Sequence, residues 1–339
     1  MAKKNPPLSR RQKWRIEKIQ QERLKRQSKK NADMDVESDD SAQAGLVIAH
    51  YGSVIIVEDN QGAFIKCGFR SNLGKIIAGD EVLWLPSVEA NTGVVTAVHT
   101  RKTLLFQYDM HNQQKPIAAN LDQMMIVVAP VPGIHTNLID RYLVAAENFG
   151  LDATIVINKA DLITEEMEPY LAEIYQLYRS LGYEVLLTDA QSEESLDFLK
   201  DALKRKRTVF VGQSGVGKSS IIQALLPDQE IRTGEISQAS GLGRHTTTAT
   251  TLYHFASGGD LVDSPGIREL NLNGFDSDMI WKGFVELREL QRMCKFRNCK
   301  HINEPECGVL EAVENDEVAL SRYDNYQQII QSLTSELTH

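Results

Sequence analysis

Residues 212–219 read Gly-Gln-Ser-Gly-Val-Gly-Lys-Ser and satisfy the pattern G-x-x-x-x-G-K-[ST] in full. Gly212, Gly215 and Gly217 let backbone N–H groups converge on phosphate oxygens, and a helix opening at Lys218 adds the positive end of its dipole. Lys218 can reach the β- and γ-phosphates of a nucleoside triphosphate, and the Ser219 hydroxyl is placed to ligate Mg²⁺. Gln213, Ser214, Val216 and Ser220 complete the stretch that would wrap the phosphates. A second tetrad, Asn158-Lys159-Ala160-Asp161, names a base. A carboxylate at Asp161 can accept hydrogen bonds from guanine N1–H and the exocyclic amine, a donor pair that adenine lacks. Asn158 would tie the loop together and Lys159 would lie along the base plane. The competing reading, an ATPase, predicts that Asp161→Asn leaves nucleotide choice unchanged.

A third element is Asp263-Ser264-Pro265-Gly266, a D-x-x-G. Asp263 would hold Mg²⁺ through water, and the Gly266 N–H would sense the γ-phosphate. Between it and the phosphate loop lies the Gly/Thr-rich stretch from Gly241 to Thr248. A threonine there could complete the Mg²⁺ shell, as in loops ordered by a γ-phosphate. Thr248 is favoured, with Thr247 close behind. Ras-like enzymes orient the attacking water with a glutamine just after D-x-x-G. Here that position is Ile267, which cannot hydrogen-bond a water, so slow intrinsic turnover is expected. His245 is the nearest substitute and Arg244 could stabilise phosphate charge. On the residues alone, His245 is balanced between hydrolysis and an ordinary surface histidine.

Cys294, Cys299, His301 and Cys307 offer three thiolates and an imidazole within 14 residues. That set suits one closed, tetrahedral, structural Zn²⁺ site. Arg292, Lys295, Arg297 and Lys300 surround the ligands and would either contact RNA or be solvated. The remaining cysteine, Cys67, is expected to be a core thiol.

The phosphate and base elements need a sheet to carry them. From about Leu121 the chain alternates short apolar runs with helical patterns: Met124–Ala129, Asn137–Asn148, Ala153–Ile157, Glu165–Ser180, Tyr183–Leu187, Glu193–Lys204, Thr208–Val211, Lys218–Leu226 and Leu261–Val262. This rhythm predicts a parallel sheet covered by helices. Both the tetrad and the phosphate loop then fall at the carboxyl ends of strands, where such sheets bind ligands. Helical patterning resumes after about Asn273.

Ahead of this, five β-type runs lie between Gly45 and about Lys102: Leu46–His50, Ser53–Val57, Ala63–Lys66, Glu81–Leu85 and Val94–His99. They predict a small antiparallel barrel, and the pattern alone does not separate an OB-fold from an SH3-like barrel. Residues 1–30 carry twelve Lys/Arg and two Glu, whereas the other 309 residues have a net charge of −19. The basic arm fits nucleic-acid contact and a solvated tail equally well. Residues 31–44 are acidic and small and read as a linker. The longest apolar run, Met124 to Val131, is far short of the ~20 residues a membrane span needs. With no apolar leader and no disulfide framework, a cytoplasmic protein without membrane partners is expected.

The order of the motifs is permuted relative to Ras-like GTPases, because the N-K-x-D precedes the phosphate loop. With a barrel before and a Cys/His cluster after, residues 45–335 resemble the RsgA (YjeQ) family of circularly permuted GTPases. The stretches Lys115 to Asp122 and Gly241 to Thr248 also look like that family's. The resemblance implies a multidomain fold: an N-terminal OB-fold β-barrel (45–102), a central α/β P-loop GTPase (103–272) and a C-terminal helical zinc-binding domain (273–339), with the basic arm and acidic linker (1–44) ahead of them and not covered by it. It further implies hydrolysis of GTP to GDP and phosphate stimulated by the 30S ribosomal subunit, and a role in late 30S maturation with 16S rRNA binding; a monomer is expected. It makes His245 the hydrolytic residue beside Lys218 and Thr248. Ile267 keeps one alternative open, a GTP-dependent RNA-binding assembly factor whose hydrolysis is incidental.

Overall fold

The computed structural model describes residues 41–70, 73–109, 113–240, 250–264 and 272–336. Chain contacts divide it into two compact units. One comprises the chain up to Lys102 with Ile231–Leu252; the other comprises Thr103–Glu230 with the chain from Tyr253 onward. The arm and nearly all of the acidic linker lie outside the described residues.

All five expected strands of the first unit form, as β1 (Gln43–Tyr51), β2 (Val54–Asp59), β3 (Phe64–Phe69), β4 (Glu81–Pro86) and β5 (Thr92–Val98). Inward-facing Val47, Ile55, Val57, Ile65, Val82 and Trp84 fill the interior, as period-two patterning requires. The pairings β1–β2, β2–β3 and β4–β5 are antiparallel, and β1 closes on β4 from Gln43↔Trp84 to Leu46↔Glu81. The barrel is not wholly antiparallel, however, because β3 and β5 run parallel, Lys66 opposite Thr92. Once β4 seals against β1, β5 has only the gap beside β3 to fill and enters it in the same direction. That closure is the five-stranded OB-type barrel, and it resolves what the strand pattern left open. Cys67 is fully buried here and burial pushes its thiol up to about 12, as befits a core thiol. Asp80, also fully buried, accepts from Arg101 Nε at 2.7 Å and NH2 at 2.8 Å.

The second unit opens with a hairpin that the apolar pattern did not suggest, β6 (Leu104–Tyr108) and β7 (Gln114–Ala119). Then follow β8 (Gln123–Val128), α1 (Thr136–Phe149), β9 (Asp152–Asn158), α2 (Glu168–Ser180), β10 (Glu184–Thr188), α3 (Glu193–Leu203), β11 (Arg207–Val211) and α4 (Lys218–Leu225). Next along the chain come α5 (Gln229–Ser240), which from Ile231 onward belongs with the first unit, β12 (Thr251–His254), divided between the two, and β13 (Asp260–Asp263) of the second. Strands β10, β9, β8, β11 and β13 are neighbours in that order and parallel throughout. Every residue of β8 is buried, as a central parallel strand must be. Helix α1 packs on β8 and β9, and α2 and α3 pack on β10. The chain runs outward from β8 to β9 and β10, then returns to the other side of β8 with β11. A topological switch point therefore lies between β8 and β11, where open α/β sheets hold ligands outside their carboxyl ends.

The carboxyl-terminal helices are α6 (Ser277–Gly283), α7 (Val285–Leu290), α8 (Gly308–Glu314) and α9 (Leu320–Glu336). The Asp276 side chain caps α6 by accepting from the Met279 N–H at 2.8 Å. A Cβ at Gly283 would sit 2.6 Å from Val144 Cα, so glycine is what lets α6 approach α1 so closely. Among the described residues no helix is long and apolar enough to cross a membrane.

Candidate functional site

The loop 212–219 leaves β11 at the switch point and ends in α4. A Cβ on Gly212 would lie 2.2 Å from the Val127 carbonyl oxygen, so no larger residue fits against β8 there. Gly217 caps α4 in the left-handed region at φ +94°, and a Cβ there would lie 2.2 Å from Asn158 Nδ2. These two glycines bring the loop against two neighbouring strands at once. Lys218, only 8 % exposed, donates through Nζ to the carbonyls of Gly212 (2.5 Å) and Gln213 (2.7 Å). Its ammonium is thus held against the carbonyls at the start of the loop. Ser214, Gly215, Ser219 and Ser220 are exposed at the loop rim and the first turn of α4, while Val216 is buried beneath them.

The tetrad reaches the same place from β9. Asn158 is 1 % exposed and donates from Nδ2 to the Val216 carbonyl at 2.9 Å. Lys159 takes left-handed backbone geometry, φ +59°, which throws its side chain back over the loop. Its Nζ donates to the carbonyls of Gly215 (2.6 Å) and Val131 (3.0 Å). Asp161 follows in a short 3₁₀ turn, Ala160–Leu162, with its carboxylate exposed. Two motifs separated by some fifty residues therefore share one edge of the sheet.

Sequence reasoning missed two further participants. Thr188 ends β10 and pairs with Asn158 in the parallel ladder. Its Oγ1 and Asn158 Oδ1 are both buried without a hydrogen-bond partner among the described residues. The loop 130–135 after β8 supplies the Val131 carbonyl to Lys159 and the Gly133 carbonyl to Gln213 Nε2 at 3.4 Å. The signal for Thr188 was its place at the end of an apolar run, at the same height as Asn158; the loop 130–135 carries no side-chain signal, since it acts through carbonyls.

Asp263 ends β13, two residues after Leu261, which pairs with Thr208 of β11. It thus points from the same carboxyl edge as the loop 212–219. Gly266, Ile267, Arg244, His245, Thr247 and Thr248 lie outside the described residues.

A second centre stands apart from the nucleotide loops. The donor atoms of Cys294, Cys299, His301 and Cys307 all lie within 4.8 Å of one another. The Cys294 and Cys307 sulfurs are 3.9 Å apart, and His301 Nδ1 is 3.5 and 3.4 Å from them. A tetrahedral metal with bonds of about 2.3 Å to sulfur and about 2.0 Å to nitrogen needs edges of about 3.8 and 3.5 Å. The edges among Cys294, His301 and Cys307 match those values, and Cys299 Sγ lies within 4.8 Å of the other three, so the donor set could hold one metal ion. His301 adopts φ +58°, stacks on Trp281 at 4.0 Å between ring centroids, and gives its carbonyl to Tyr323 Oη at 2.8 Å. Burial lowers the proton affinity of its imidazole, which favours the neutral ring a metal requires. Glu304 shapes the loop by accepting N–H bonds from Lys300 (2.8 Å), Ile302 (2.9 Å) and Asn303 (3.2 Å).

A parallel sheet with an N-K-x-D strand ahead of a G-x-x-x-x-G-K-S loop, a barrel before it and a four-ligand metal cluster after it, defines the class: a circularly permuted P-loop GTPase. A family model described as RsgA GTPase matches residues 98–273. A protein of Pseudomonas putida named small ribosomal subunit biogenesis GTPase RsgA is 46 % identical over 99 % of this chain and 99 % of its own. One of the same name from Alcanivorax borkumensis is 44 % identical over 99 % and 97 %. Among solved structures, YjeQ from Thermotoga maritima is 36 % identical with a TM-score of 0.73, covering 86 % of this chain and 99 % of that one. YloQ, described as a circularly permuted GTPase, is 28 % identical with a TM-score of 0.71 over 89 % and 99 %. The chain belongs to the RsgA GTPase family.

Proposed function

We propose that this GTPase turns over GTP in response to the small ribosomal subunit, late in that subunit's maturation, and contacts 16S rRNA. The observation that carries the reading is the pair of bonds by which Asn158 and Lys159 grip the loop 212–219, since they hold a guanine-reading tetrad and a phosphate loop in one frame. Names of relatives supply the ribosomal partner. In this reading Asp161 accepts from the guanine edge, with Asn158 and Lys159 fixing the base against the loop. Backbone N–H groups of Gly212 to Ser220 surround the phosphates, and Lys218 balances charge on the β- and γ-oxygens. Ser219, Asp263 and Thr248 would hold Mg²⁺, which when bound neutralises charge shared between those phosphates. Gly266 senses the γ-phosphate. His245 orients the water whose oxygen attacks the γ-phosphorus while the bond to the β–γ bridging oxygen breaks, replacing the glutamine absent at Ile267.

Cys294, Cys299, His301 and Cys307 would hold zinc in a structural role, because three thiolates and one imidazole make the donor set of a closed site. Arg292, Lys295, Arg297 and Lys300 on that loop face rRNA. The working domains are the barrel 45–102, the GTPase 103–272 and the metal-bearing helices 273–339, in a cytoplasmic monomer. His245→Ala tests the catalytic reading against an RNA-binding factor with incidental hydrolysis. Loss of subunit-stimulated turnover with retained subunit binding supports the enzyme; unchanged turnover rejects His245.

A further inference from the structure

Arg322 on α9 is 1 % exposed and lies between two carboxylates. Its NH1 donates to Asp140 Oδ1 at 2.5 Å, and its Nε and NH2 donate to Glu286 Oε1 and Oε2 at 2.6 and 3.0 Å. The guanidinium also stands 4.5 Å from the Phe284 ring centroid. Asp140, fully buried on α1, accepts in addition from Tyr178 Oη at 2.6 Å and Asn325 Nδ2 at 2.7 Å. Asn325 Nδ2 also reaches Thr136 Oγ1, at the first residue of α1, at 3.1 Å. Helices α1, α2, α7 and α9 thus meet on one buried charge.

Burying such a network gains little stability over apolar packing of the same shape, and its better-attested use is to fix register. What it fixes here is the start of α1. The loop 130–135 runs straight into that start and braces both nucleotide elements through Val131 and Gly133. The neighbouring face of α9 holds the metal loop, Tyr323 Oη to the His301 carbonyl and Tyr326 Oη to the Lys300 carbonyl at 3.2 Å. We infer that Arg322 is a positioning residue: by holding Asp140, one turn into α1, beside the Asn325 that bonds Thr136, it sets the start of α1 and the loop 130–135, so the hold on nucleotide depends on α9. The inference rests on the reading of the loop 212–219 as a nucleotide site.

The test is the dissociation rate of a fluorescent GDP analogue from the full chain, at a temperature far below unfolding. Arg322→Met speeds release about three- to thirtyfold, and Asn325→Ala moves it the same way by less. The double variant Asp140→Asn/Arg322→Met releases at the rate of Arg322→Met alone, since both changes cut one network. Arg101→Met breaks an ion pair with the buried Asp80 of the barrel; it lowers the melting temperature and leaves release unchanged. Release within about twofold of wild type for Arg322→Met and Asn325→Ala overturns the inference. Should Arg322→Met fail to fold, Asn325→Ala and Asp140→Asn decide on the same criterion. Failure of the wild-type chain to bind the analogue at all overturns the nucleotide-site reading, and the inference with it.

Discussion

The Asn158 side-chain amide donates to the backbone carbonyl of Val216 at 2.9 Å, locking the end of β9 to the middle of the loop after β11. A Cβ at Gly217 would occupy that amide's space, so the loop glycine and the tetrad asparagine are mutually required. Asn158→Ala leaves the Val216 carbonyl buried and unpaired. Guanine-nucleotide affinity is expected to fall about ten- to hundredfold. Titration with a fluorescent GDP analogue measures it, and unchanged affinity contradicts the role assigned to this bond.

Asp161 reads the base in the proposed function. Asp161→Asn exchanges an acceptor oxygen for a donor amide facing the guanine N1–H and amine. Affinity for GDP falls about tenfold or more while affinity for a xanthine nucleotide, whose 2-oxo group accepts, rises. Competition between the two nucleotides for the variant gives the answer directly.

Gly212 packs against the Val127 carbonyl with no room for a methyl group. Gly212→Ala must displace either the loop or β8, at a cost of about 2–4 kcal/mol. Urea denaturation shows the lower midpoint, and nucleotide binding is lost even in the folded fraction.

The metal cluster predicts one bound ion per chain. Glu304→Ala frees three backbone N–H groups beside His301 and weakens the ion about tenfold, as loss of a supporting partner does. Competition with a chromogenic chelator measures this. Because each cysteine ligand must lose its proton, affinity falls as pH drops. A quench or shift of Trp281 fluorescence on metal removal gives an independent readout, since that ring stacks on His301.

Asp260 joins His254 Nδ1 at 2.7 Å and Arg207 Nε at 3.2 Å, tying β13 to its neighbours. Burial alone would raise its carboxyl, but the hydrogen bond and charge of His254, and then the Arg207 charge, carry it below the usual carboxylate range. A carboxylate lowered on folding contributes stability that is present above its unfolded value near 4 and is lost as pH falls through the folded value. Asp260→Asn therefore costs about 1 kcal/mol at neutral pH and shrinks the acid-induced loss below about pH 4. Denaturation curves at pH 7 and pH 3.5 for both chains would reveal an equal acid loss if this assignment were wrong.

The nucleotide loops were legible because their information is local: the run Thr208–Val211 and the glycines after it specify strand, turn and helix together. The metal ligands were legible by residue type, and the folded chain gathers their donor atoms within 4.8 Å of one another. The hairpin β6–β7 was not, since Gln107, Gln114 and Pro116 interrupt any apolar alternation. The parallel pairing of β3 with β5 was not either, because only closure of β4 on β1 decides it. Arg322 and Asp140 are 182 residues apart, and an arginine among Ser321, Tyr323 and Asp324 reads as solvent-facing until α1 is packed against it. Trp281 and Thr188 were missed for the same reason: their partners are set by tertiary contact.

The most direct measurement is GTP turnover by the purified full chain, with and without small ribosomal subunits, and with ATP in place of GTP as the control. Slow turnover alone, strong stimulation by the subunit and no stimulated ATP turnover are the expected results. Equal GTP turnover with and without subunits contradicts the ribosomal role, and stimulated ATP turnover contradicts the guanine site built on Asn158, Lys159 and Asp161.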